Sequence, residues 1–160
     1  MGLKTNFDTE YVHYGANEFI PEKVTEDAKY WRKNSIGKPS GLWASPLNAE
    51  LNWKDWCEEE DFHTERLDES FKFKLKNGSR ILEVHQIEDI LLYVVPNNFG
   101  FRLWVGSESK LVLLNRDALM SDFDGMELYL SENWLLRDMY FYTWDCDSIC
   151  IWNSDVIEVL

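Results

Sequence analysis

"ESFKFKLKNGSRILEV", residues 69–84, is the stretch on which the fold turns. Phe71, Phe73 and Leu75 alternate with Lys72, Lys74 and Lys76, the period-two pattern of a half-buried strand. Asn77-Gly78 follows, a pair that favours the positive φ values of a tight hairpin turn. Ile81, Leu82 and Val84 then resume the apolar run. The spacing predicts two strands closed into a β-hairpin, and with it an antiparallel sheet.

Other segments extend that sheet. Residues 10–14 and "SGLWAS" (40–45) read as short strands, the first ending near Gly15. "GMELYL" (125–130) alternates, with Met126, Leu128 and Leu130 on one face and Glu127 and Tyr129 on the other. "MYFYTW" (139–144) and "SICIWN" (148–153) read as strands, the second with the content of a buried central one. Helices are predicted between them: 24–33, with Pro21 and Pro39 as breakers; 46–60, with Ser45 as cap and Pro46 at its first position; 86–93; 114–123, capped by Asn115; and a turn at "ENWLLRD" (132–138). The expected class is α+β, one domain over residues 1–160 with short strands and small helices.

The composition agrees with a folded chain of 160 residues, 45% hydrophobic and 15% aromatic with eight tryptophans. No apolar run reaches the roughly 20 residues that span a bilayer, so no membrane partner is expected. "MGLKTNFDTE" lacks the apolar core of a signal peptide. Three cysteines without framework spacing suggest reduced thiols and a cytoplasmic setting. No Cys/His spacing fits a metal site.

The net charge is −13 and uneven. Residues 50–69 carry −7 and residues 117–160 carry −9, while a basic stretch runs over Lys23, Lys29, Arg32, Lys33 and Lys38. Such a chain lacks the broad cationic face that a nucleic-acid backbone needs. The small basic patch suits one anionic ligand.

Three motifs bear on chemistry: His13-Tyr14-Gly15 at the end of an early strand; Lys38 to Ser45, "KPSGLWAS", on a second; and late acids, Glu127 in "DFDGMELYL" and Asp145 and Asp147 in "WDCDSICIWNSDVI". Each has a structural reading: a ring packed by a turn, a core tryptophan, a helix cap, turn-capping acids. Cys146 and Cys150 have no base beside them and do not read as nucleophiles. His63 and His85 read as surface residues.

The order of these motifs resembles the ADP-ribosyltransferase family, from residue 11 to residue 157. Members have a His-Gly-like element on a first strand. A second strand carries an aromatic and then a small hydroxyl residue, and a late strand carries a carboxylate. The resemblance implies split antiparallel β-sheets with small flanking helices, and NAD-dependent transfer of ADP-ribose to a protein, RNA or DNA acceptor. It implies cofactor contacts at His13 (a ribose hydroxyl), Gly15 (nicotinamide), Trp43 (stacking), Ser45 (the neighbouring ribose), and Arg32 or Lys38 (pyrophosphate). It also places Asp145, the first acid of the late pair, and Tyr14, as a packing residue, among the cofactor-binding residues.

The catalytic carboxylate is either Glu127 or Asp147. Asp145-x-Asp147 resembles the acid-x-acid motif of toxin-like members, yet alignment on the final strand puts Ser148 in the acidic place. A slip of one residue reverses a strand's face. Trp43 also stands where the family usually has tyrosine. A stand-alone member of this size resembles toxin-antitoxin or phage-conflict components, with an antitoxin or inhibitor protein as a further partner. Two other readings stay open: an acidic, non-catalytic interaction protein that mimics nucleic acid, and an NAD glycohydrolase or degenerate relative.

Overall fold

The computed structural model describes residues 2–31, 38–133, 135–136 and 144–160. It is mixed α+β, with curled antiparallel sheets and few helices. The strands are β1 (Tyr11–Tyr14), β2 (Leu42–Pro46), β3 (Ser70–Leu75), β4 (Ile81–Val84), β5 (Val94–Val105), β6 (Glu108–Leu114), β7 (Gly125–Leu128), β8 (Ser148–Ile151) and β9 (Ile157–Val159). The α-helices are α1 (Pro21–Lys29), α2 (Trp53–Glu60) and α3 (Arg116–Asp122).

The hairpin expected over residues 69–84 is not formed. Seven strands build one sheet in the order β4-β7-β8-β2-β1-β3-β9, so β3 and β4 lie far apart in it. β3 pairs antiparallel with β1 and β9, and β4 pairs parallel with β7. The Asn77-Gly78 turn exists, with Gly78 at φ +84°, but it sends the chain from one side of the curl to the other. Each strand has a better partner than its neighbour in sequence: Phe73 is paired with Tyr11 and Val159, and Leu82 with Met126. The true hairpin is β5–β6, a separate two-stranded sheet with a bulge between Pro96 and Phe101.

Both faces of the large sheet are covered. One core gathers Leu82, Val84, Met126 and Leu128 with Leu119, Trp144 and Trp152, under β5–β6 and α3. The other gathers Tyr11, Phe73, Leu75, Ile81, Ile149 and Ile151. This explains the alternation in β7, whose four residues are all buried. Its Glu127 face meets the second core, not water.

The helices also differ in detail from the periodicity. Pro21 opens α1 and does not break it, consistent with proline's fit to the first turn. Ser45 and Pro46 belong to β2, and α2 starts later with Asn52 as its cap. Ser45 still serves that helix: its hydroxyl accepts the Trp53 amide at 3.1 Å. Asn115 caps α3 as expected, accepting from the Ala118 amide. Residues 87–93 form a 3-10 helix. The strand expected at 139–144 and the turn at 132–138 lie largely outside the described residues, as does Arg32.

Candidate functional site

β1, β2 and β8 lie side by side at the centre of the sheet, and a cavity of about 230 Å³ opens where they meet the start of α2. Its walls include His13 and Tyr14 from β1, Lys38, Trp43 and Ser45 from in and before β2, Trp53 from α2, and Trp144, Asp145 and Ser148 beside β8. Six of the expected cofactor contacts are therefore brought together: His13, Tyr14, Lys38, Trp43, Ser45 and Asp145. Gly15 does not line the cavity. Its φ of +102° marks it as the turn residue ending β1, and its amide donates to the Glu69 carbonyl at 2.8 Å.

The wall has a definite electrostatic character. His13 Nδ1 lies 2.6 Å from the Trp43 carbonyl, which can only accept, so Nδ1 carries the proton and Nε2 is the accepting nitrogen of the neutral ring. Burial lowers the His13 pKa below the ordinary 6.5, the Trp43 carbonyl opposing it. Trp43 meets Trp144 edge to face at 4.6 Å between centroids, and the Lys38 ammonium lies 4.8 Å from the Trp43 ring centre. The wall thus combines a flat aromatic surface, a cation, a neutral imidazole and a carboxylate. Cys146 is a poor nucleophile, since burial pushes its thiol up to about 12.

Neither expected catalytic carboxylate lines this cavity. Glu127 is 0% exposed. Its oxygens accept from the Tyr11 and Tyr129 hydroxyls at 2.9 and 2.8 Å and pair with Lys4 Nζ at 3.1 Å. Lys4 also holds Glu83, which faces Glu127 across the parallel pair. Burial raises the Glu127 pKa, against the pull of Lys4. Burial disfavours the Lys4 charge, but Glu127 and Glu83 outweigh it and hold the ammonium above the ordinary lysine value.

Asp147 is 3% exposed and accepts from the amide and hydroxyl of Ser131. In β8 the residues alternate, so Ser148 lines the cavity while Asp147 shares the parity of Ile149 in the second core. Asp145 is the cavity's carboxylate.

The sequence did not single out Trp53 or Trp144. Trp53 stands at the first turn of a helix whose start was placed too early. Trp144 directly precedes Asp145, and that adjacency was the available signal. Among the described residues no group of three or more His, Cys, Asp or Glu side chains is placed to hold a metal ion, and no helix is long and apolar enough to cross a membrane.

Together these features define an aromatic-walled, one-carboxylate pocket at the centre of a curled α+β sheet. No protein-family model, curated protein or solved structure matches the chain.

Proposed function

We propose that the protein binds NAD by its nicotinamide riboside end in this cavity and transfers ADP-ribose to a macromolecular acceptor. The observation that carries the reading is the convergence of His13, Trp43, Ser45 and Asp145, from three distant stretches of chain, on one pocket. At about 230 Å³ the pocket is smaller than the roughly 300–1,000 Å³ of sites enclosing a drug-sized ligand. It suits a planar ring with its sugar and leaves the remaining nucleotide outside, towards Lys38.

The residues suit the chemistry. The Trp43 face already holds a cation, the Lys38 ammonium, and the cationic nicotinamide ring takes that place as Lys38 turns to the pyrophosphate. His13 Nε2 accepts a ribose hydroxyl. The ribose C1′–nicotinamide bond breaks, and its electron pair leaves with neutral nicotinamide. Positive charge develops on the ribose, and the Asp145 carboxylate stabilises it. An acceptor nucleophile then attacks C1′ and its proton passes to solvent; with water as acceptor the same site is an NAD glycohydrolase. One observation favours a second reading, an NAD-binding relative without transfer. From β8 it is Ser148, not an acid, that faces the cavity.

Incubation with NAD labelled in its adenylate moiety, with and without a cell lysate, separates these. The expected result is label transfer by the wild type, its loss in Asp145→Asn and Trp43→Ala, and its survival in Asp147→Asn. NAD binding with neither transfer nor release of nicotinamide favours the second reading. No NAD binding overturns both.

A further inference from the structure

α2 buries a single residue, Cys57. Its two tryptophans belong to neither core. Trp53 and Trp56 stack on one another at 5.1 Å, and Phe62, 41% exposed, packs against both edge to face. The result is a half-exposed aromatic face, and Trp53 makes it continuous with the cavity wall.

The charges around this face break a local rule. Glu58, Glu59, Glu60 and Asp61 crowd the C-terminal end of α2, where the helix dipole is already negative, and the last turn has no basic residue. All four are exposed. In the free protein this arrangement is unfavourable, and local conflicts of this kind tend to accompany function. A cation arriving at the face would relieve it. Beneath the face, burial raises the Cys57 pKa, and the Asp145 and Glu58 carboxylates add to it.

We infer that the Trp53–Trp56–Phe62 face docks a lysine- and arginine-rich protein segment, which is the acceptor of the proposed transfer. Naming it the acceptor rests on that reading; the docking does not. Tryptophan faces take guanidinium and ammonium groups by cation–π contact, and the flanking carboxylates supply charge-assisted hydrogen bonds. A phosphate backbone would meet like charge here, which selects against RNA or DNA.

The test uses the full chain without NAD. It is titrated with a peptide of Gly-Arg-Gly-Lys repeats, a Gly-Glu peptide of equal length and a single-stranded oligonucleotide, while the tryptophan indole N–H signals are followed by NMR. Only the basic peptide is expected to move the Trp53 and Trp56 signals. Trp56→Ala should weaken its binding by about fivefold or more. A Glu59→Lys/Glu60→Lys double variant should weaken it further while raising the melting temperature, because both changes favour the helix dipole; that rise excludes misfolding as the cause. Absence of peptide binding, binding unchanged in both variants, or equal binding of the oligonucleotide overturns the inference. NAD binding is measured separately, so either conclusion can fail while the other stands.

Discussion

Glu127 and Lys4 show how a buried charge is kept in a small α+β fold. The carboxylate is surrounded by two tyrosine hydroxyls and an ammonium that is itself 2% exposed. Removing one member leaves the other charged and out of water, so Glu127→Ala should cost about 3 kcal/mol, the low end for a broken buried pair because Glu83 still faces Lys4. Replacing both, as Lys4→Met with Glu127→Leu, should cost less than Glu127→Ala alone. Urea midpoints of the two variants check this; equal or reversed losses contradict it. At the rim of the same network His85 stacks on Tyr129 and bonds Glu132 and Glu83. Burial lowers its pKa, but those two carboxylates outweigh it and hold it above 6.5. A histidine raised in the folded state stabilises fully below its unfolded pKa and loses that contribution as pH rises through the folded value. His85→Asn should therefore flatten a decline in melting temperature between about pH 6 and 8. A decline that persists unchanged assigns it elsewhere.

The link between β2 and α2 runs through one hydroxyl. Ser45 is 1% exposed and accepts the first amide of α2, so Ser45→Ala leaves that N–H without its partner. The expected loss is about 1 kcal/mol, that of a helix-cap deletion, with faster hydrogen exchange at the Trp53 amide. An unchanged exchange rate would mean that Asn52 alone holds the helix start. This contact also shows what the sequence could tell. Strand and helix types were legible for β1, β2, β7, β8, α1 and α3, because alternation and caps are local signals. Pairing was not. Residues 69–84 carry every local mark of a hairpin, yet β3 and β4 find better partners in strands from both ends of the chain, and partner choice is a long-range energy. The cavity was legible where residues sit on adjacent central strands, as with His13, Trp43 and Ser45. Glu127 and Asp147 were not legible as lying outside it, because an exposed-looking Glu127 face could not be told from a second core, and because Asp147 and Ser148 differ only by the parity of one residue.

Across the whole molecule the excess of acid sets the response to solvent. With a net charge of −13, self-repulsion opposes compactness. Raising ionic strength from about 0.01 to 0.15 M shortens the screening length from roughly 30 to 8 Å, so the melting temperature at pH 7 should rise. The rise should shrink near the sequence pI of about 4.6. A melting temperature insensitive to salt would mean that the acids lie too far apart to repel. The β4 edge of the large sheet is met by the segment before β1, through a bridge between Leu3 and Leu82. There the Lys4 amide donates to Ile81, and its side chain is fixed to β4 and β7. Lys4 leaves the ribosome long before Glu127 does. Until β7 has been made, the Tyr11 hydroxyl lacks its Glu127 acceptor and Lys4 has only Glu83, so the full seating of this segment is a late event of synthesis. A stall before residue 125 would present β1 to chaperones with its polar tip unsatisfied, which makes the order of translation itself a constraint on when the central strands can settle.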